Sequence, residues 1–266
     1  MDKTAFNCLG STIPQIQVIG ITGIPEILTG DQLGPIILKA AESQGTTIED
    51  RDILVVTQKI VSKAEGRIVS LNDITPSRMA CELGCDTGKD PRLVELILKE
   101  SRSLVRIDRD RGIIISETNH GFICANAGID ASNVPGGDSV SLLPEYPDRS
   151  ANEIRTQIEA YVGNMEISVI ISDTFGRAWR EGHVNFAIGL SGINPLKDYK
   201  GTTDTQGQSL NVTNIAIADE LASTAELVTG KALNIPVAIV RGYEYAKLEN
   251  GDISVILRDE IKDLFR

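Results

Sequence analysis

Three short stretches hold the residue types that could do chemistry. Residues 120–133 read His-Gly-Phe-Ile-Cys-Ala-Asn-Ala-Gly-Ile-Asp-Ala-Ser-Asn and set Asn126, Asp130 and Asn133 among small residues. Small residues let a backbone approach a ligand closely, and Asp and Asn oxygens are the hard ligands that Mg²⁺ or Mn²⁺ prefers. Taken alone, the stretch reads first as a Gly/Asn turn between two strands. Residues 172–180, Ser-Asp-Thr-Phe-Gly-Arg-Ala-Trp-Arg, follow an apolar run. A strand that delivers Asp173 and Thr174 at its carboxyl end presents a carboxylate and a hydroxyl to a metal. Arg177 and Arg180 there suit bidentate recognition of phosphate or carboxylate. The plainer reading is a capped loop around a half-buried Trp179. The third stretch, residues 58–67, places Lys59, Ser62, Lys63 and Arg67 directly after another apolar run. It is the densest run of phosphate-binding types in the chain, or else a solvated basic turn.

Together these stretches have the parts of a metal-dependent phosphoryl-transfer site. Carboxylates would hold the ion, and the ion and lysines would neutralise phosphate oxygens. The common nucleotide and hydrolase signatures are missing: there is no P-loop, no Gly-x-Gly-x-x-Gly, no kinase His-Arg-Asp and no serine nucleophile elbow. From residue types alone, the reading stops at a metal-dependent enzyme acting on a phosphorylated substrate. His120 is one candidate proton acceptor that nothing in the sequence ties to the site. His183 reads as a lone surface histidine.

The elements that must position these residues can be read from periodicity and caps. Residues 17–21 are a short apolar strand, followed at 22–27 by a Gly/Pro turn whose backbone N–H groups could meet a nucleotide or simply connect two elements. Asp31 is expected to cap a helix running to about residue 44. Residues 52–57 are a buried strand. Thr75-Pro76 is expected to open a helix ending near Gly84, and Asp90-Pro91 one running to about Ser103. Residues 112–116 are a strand and 135–138 a turn. Ser150 with Glu153 reads as a capping box, with Ile154, Ile158 and Tyr161 inward and Gly163 as the stop. Residues 167–171 form a buried strand. The Gly-rich segment 185–215, with Asp198, Asp204, Gln206 and Gln208, reads as irregular, an active-site cover or a dimer arm. A helix over about 218–228 and a buried strand over 236–240 follow, and 253–257 with a short amphipathic tail close the sequence.

Composition narrows the class. A chain of 266 residues with 41% hydrophobic and 24% charged residues has material for one large core or two smaller ones. A net charge of −11 argues against a nucleic-acid binder, and it means that an anionic substrate needs local cations. No signal peptide or membrane span is apparent. Cys8, Cys81, Cys85 and Cys124 lack zinc spacing and read as reduced thiols, so a cytoplasmic location is expected.

At these residues the chain resembles the coenzyme F420-0:L-glutamate ligase (F420:gamma-glutamyl ligase) family. The matching runs are residues 23–27, 52–67, 120–134, 172–180 and 237–242, within a similarity from Val18 to Arg266. The resemblance implies an α+β fold of mixed sheets with helices, one ligase domain possibly built as two subdomains, and an intertwined homodimer with its site near the interface. It implies a GTP-dependent enzyme that adds L-glutamate to the deazaflavin precursor coenzyme F420-0, first as an amide and then through γ-links, by way of an acyl phosphate. Mg²⁺ or Mn²⁺ and K⁺ are implied as cofactors. By motif, Asp130, Asp173 and Thr174 would be metal ligands. Gln58, Lys59, Lys63, Asn133, Thr229, Gly230, Lys231 and the backbone of Ile24, Pro25, Glu26 and Ile27 would contact GTP. Where the family can place a Gln near metal, this chain has Lys231. The carboxyl-terminal reductase-like domain of some relatives is not expected. A non-catalytic deazaflavin or nucleotide binder, and an amide ligase with another carboxylate acceptor, are the alternatives.

Overall fold

The computed structural model describes residues 13–131, 138–163, 165–203, 205–209 and 214–264. Asn133, Asp204 and Cys8 lie outside these residues. The first element among the described residues is β1, Gln17–Ile21. A loop leads to α1, Leu33–Ser43, whose Leu33, Ile37, Leu38 and Ala41 are buried. Asp31 does not cap this helix. Its carboxylate accepts from the Leu28 N–H at 2.8 Å and closes the preceding loop, while Gln32 takes the N-cap position without a side-chain bond. Strand β2, Ile53–Thr57, passes directly into α2, Gln58–Ala64, and β3, Ile68–Ser70, follows.

Ser77, rather than Thr75-Pro76, caps α3, Arg78–Thr87, by accepting from the Ala80 N–H, and left-handed Gly88 ends it. Asp90 and Pro91 start α4, Pro91–Lys99, as their chemistry anticipates. That helix stops short of Ser103 because residues from 101 onward pair in a sheet: β4 (Ser101–Asp108), β5 (Ile113–Thr118) and β6 (Ile123–Ala125) form an antiparallel triplet. Strand β7, Ser139–Ser141, pairs with β3.

Helix α5, Pro147–Val162, begins before Ser150. The expected capping box therefore does not form. Ser150 hydrogen-bonds inside the helix to the Tyr146 carbonyl and across to Glu65, and Glu153 pairs with Arg149. Tyr161, expected inward, is exposed, while Gly163 ends the helix as anticipated. Strands β8 (Ser168–Arg177) and β9 (Arg180–Ser191) then form one long hairpin. This overturns two expectations, a loop over 172–180 and an irregular start to 185–215. Gly189 is a packing position rather than a loop signal, since a Cβ there would lie 2.4 Å from Pro147 of α5. Strands β10 (Leu196–Asp198) and β11 (Asn214–Ala216), helix α6 (Ile217–Thr229) and strand β12 (Val237–Arg241) complete the strands and α-helices of the described residues. Residues 253–256 are a 3₁₀ turn.

The fold is mixed α+β, as expected. Its main sheet has the order β1-β12-β2-β8-β9. β2 and β8 are parallel, and the other pairs are antiparallel. Because β12 runs against both β1 and β2, the carboxyl ends of β1, β2 and β8 share one edge with the start of β12. One register row crosses that edge: Ile21 faces Val237, Val237 faces Val56, and Val56 faces Ile171. All four side chains are buried, in a core shared with α1, α5 and α6. Their burial is the main stabilising term that aligns the edge, at about 25 cal/mol per Å² of apolar surface. At the opposite edge, the fully buried Asp52 receives a bidentate pair of bonds from Arg241, at 2.8 and 2.7 Å. Among the described residues, no helix is long and apolar enough to cross a membrane.

Candidate functional site

The residues that step out beyond this register row build a cleft of about 950 Å³. After Ile21 come Ile24, Pro25, Glu26 and Ile27. After Val56 come Thr57, Gln58, Lys59 and Lys63. After Ile171 come Ser172, Asp173 and Thr174, and ahead of Val237 come Gly230, Lys231 and Pro236. Asp130 enters from outside the sheet. Its backbone exchanges two hydrogen bonds with Ser141, at 3.0 and 2.8 Å, and the next residue, Leu142, donates to the Arg67 carbonyl just past α2. A run of left-handed backbone at Asn126, Ala127 and Gly128 turns the chain ahead of Asp130.

Charge is balanced in pairs across the cleft. Lys59 Nζ lies 2.8 Å from Asp130, both partly exposed. Lys63 pairs with Glu26. Lys231 Nζ donates to Thr174 Oγ1 at 2.5 Å. Asp173 is the perturbed group. Burial pushes its carboxyl up to about 6, and the charge of Asp130 adds to this, while the Thr174 N–H, Lys231 and Lys59 pull the other way. The Ser172 hydroxyl, also on the cleft wall, is buried and has no hydrogen-bond partner among the described residues.

Asp130, Ser172, Asp173 and Thr174 offer oxygen donors, which suits a hard divalent ion. Among the described residues, no group of three or more His, Cys, Asp or Glu gathers as a complete cage.

Most of the residues singled out from sequence meet here. Thr229, expected as a GTP contact, is the exception: it is buried, and its hydroxyl donates to Glu226 at 3.3 Å rather than facing the cleft. Gln58 lines the cleft but is buried, its amide oxygen accepting from Ser62. Arg177 and Arg180 are not among the cleft's lining residues. They flank the hairpin tip, where Trp179 is 85% exposed rather than half-buried. His120 does not line the cleft either. Its Nε2 donates to the carbonyls of Pro144 and Glu145, at 2.9 and 3.1 Å, and its ring stacks on Phe122. Cys81 and Cys85 are free and exposed, and Cys124 is free and buried, its thiol pushed up to about 12 mainly by burial.

Sequence reasoning missed Asn185 and Glu226, which also line the cleft. Asn185 Oδ1 accepts from the Thr174 hydroxyl at 2.7 Å, and its Nδ2 donates to Glu226 at 2.9 Å. Reading 185–215 as irregular hid Asn185. Glu226 stands on the helix just before Thr229 and looks like an ordinary surface carboxylate.

The F420-0:gamma-glutamyl ligase family matches residues 22–242, which span every segment of the cleft. The chain belongs to this family. It is 46% identical over 253 residues to the coenzyme F420:L-glutamate ligase of Methanothermobacter thermautotrophicus, covering 94% of this chain and 99% of that protein. The proteins of the same name from Methanocaldococcus jannaschii and Methanopyrus kandleri are 43% and 42% identical, over 95% and 96% of this chain and 97% and 99% of their own lengths. The expectation of a ligase enzyme is thereby borne out.

Proposed function

We propose that this chain is a GTP-dependent ligase that adds L-glutamate to coenzyme F420-0 and then further glutamates through γ-links. The observation that carries the reading is the convergence of Lys59, Lys63, Asp130 and Asp173 on one cleft at one sheet edge. The F420:L-glutamate ligase activity for which the relatives are named supports it.

An amide cannot form directly from a carboxylate, because oxide is too poor a leaving group. In the proposed reaction a carboxylate oxygen of the precursor attacks the γ-phosphorus of GTP. GDP leaves and an acyl phosphate forms. The glutamate amine then attacks the acyl carbon, phosphate leaves, and the amine gives up a proton. Lys59 and Lys63 exchange their carboxylate partners for phosphate oxygens and offset the repulsion between two anions in a chain of net charge −11. Residues 24–27, Gln58, Gly230 and Lys231 frame the nucleotide, and Thr229, the remaining expected contact, stands behind them against Glu226. Asn133 belongs to the same proposed contact set. Asp130 and Asp173 hold Mg²⁺ or Mn²⁺, which when bound supplies charge neutralisation at the phosphates. Thr174 is the third candidate ligand, but its oxygen already accepts from Lys231. K⁺ assistance, an intertwined homodimer, a single ligase domain and a cytoplasmic location belong to the same reading.

The test incubates the purified chain with GTP, the deazaflavin precursor, L-glutamate and either Mg²⁺ or Mn²⁺, and follows the product by mass spectrometry. The expected result is a precursor heavier by one or more glutamyl units, with equivalent GDP and phosphate. Absence of a glutamylated product with both metals, or GTP consumption independent of precursor, overturns the reading.

A further inference from the structure

The hydrogen-bond chain behind Thr174 has a fixed direction. An ionised carboxylate only accepts, so Glu226 must receive, and it does so from Asn185 Nδ2 at 2.9 Å and from the Thr229 hydroxyl at 3.3 Å. With Nδ2 committed to Glu226, the other end of the carboxamide, Oδ1, faces Thr174 at 2.7 Å. A carboxamide oxygen also only accepts. The single hydroxyl proton of Thr174 therefore points to Asn185, away from the cleft. Thr174 Oγ1 is left presenting lone pairs alone, next in sequence to the carboxylate of Asp173. An oxygen held in this way beside a carboxylate is a position for a cation, and the group there is the ammonium of Lys231, at 2.5 Å. Lys231 follows directly on Gly230, the C-cap of α6, and is exposed, so its tether starts one helical turn from Glu226.

We propose that Lys231 is the resident cation at Thr174: a tethered ammonium takes the position that a second bound ion would need, and the cleft holds one divalent ion, on Asp130 and Asp173. An ammonium and a divalent ion on this one oxygen would lie within a few ångströms of each other, and like charges that close repel. Glu226 and Asn185 are then positioning residues, which act by fixing the direction of the Thr174 proton. The inference rests on the nucleotide and metal reading above.

The experiment counts Mn²⁺ bound per chain by titration, with free ion followed by electron paramagnetic resonance, in the presence of β,γ-imido GTP, a non-hydrolysable analogue. The unmodified chain is expected to bind one Mn²⁺. Lys231→Gln removes the charge and offers an amide oxygen, and it is expected to bind two. Adding Thr174→Val to Lys231→Gln removes the oxygen and is expected to restore one. Two ions in the unmodified chain, or one in a folded Lys231→Gln chain, overturn the inference and leave the metal reading standing. No bound ion in any form overturns both. A count of two in the unmodified chain overturns the inference even if a variant fails to fold, and circular dichroism reports whether each variant is folded.

Discussion

Asp173 is pulled two ways. Burial favours its neutral form, and Lys231, Lys59 and the Thr174 N–H favour the ionised one. A carboxylate in that condition gains most from a nearby cation and contributes little to folding by itself. Asp173→Ala is therefore expected to lower glutamate-addition turnover roughly 100-fold or more, with a melting temperature at or above that of the unmodified chain. Steady-state kinetics beside thermal denaturation checks this, and retained turnover removes Asp173 from the site. At this scale much of the site was legible. Asp130, Asp173, Lys59 and Lys63 declare their chemistry by type. Asn185 and Glu226 do not, because their part depends on which atom donates to which, and that appears only once Thr174, Asn185 and Glu226 lie side by side.

The elements were legible where a local signal decides them. Asp90-Pro91 begins α4 and Gly163 ends α5 because cap chemistry lies within a few residues of the element it serves. The β8–β9 hairpin was not, because Gly189 looks like a loop residue until α5 lies against the sheet. Gly189→Ala is expected to destabilise the fold by about 1–3 kcal/mol through overpacking against Pro147, read as a lower urea midpoint. Asp219, which starts α6 and accepts from the Ala187 N–H at 3.0 Å, gives a pH-dependent counterpart. Burial raises its folded pKa. The folded state then binds more protons than the unfolded state, so this group's contribution to stability falls as pH rises from the ordinary carboxylate range through the raised value. Asp219→Asn keeps an acceptor for Ala187 and removes the titration. Urea unfolding at several pH values is expected to show the variant gaining on the parent as pH rises through that window. A pH-independent difference refutes the assignment.

Across the whole molecule, the mixed α+β class and the family were legible from sequence, while the sheet order was not. Strand order depends on pairing between segments more than 200 residues apart, such as Gln17 with Arg241, and no local pattern encodes it. The Arg241–Asp52 pair ties the end of β12 to the start of β2, with Asp52 fully buried. Arg241→Ala leaves that carboxylate without its counter-charge and is expected to cost about 3 kcal/mol, measured by urea denaturation. A loss below about 1 kcal/mol would mean that the Glu49 N–H, which also donates to Asp52, holds the carboxylate unaided.

The position of β12 also has a consequence for how the chain is made. It is the last strand of the main sheet to be synthesised, yet it lies between the first two, β1 and β2. A nascent chain that has emerged only through β9 can pair β2 with β8, but β1 has no partner and β2 keeps one bare edge. Bare edges invite pairing with other chains, and closure over so long a sequence separation is slow. During translation the molecule therefore passes through an interval in which, of the strands that meet at the cleft edge, only β2 and β8 are joined and the edge is open to misassembly, until residues 237–241 pair in and seal it.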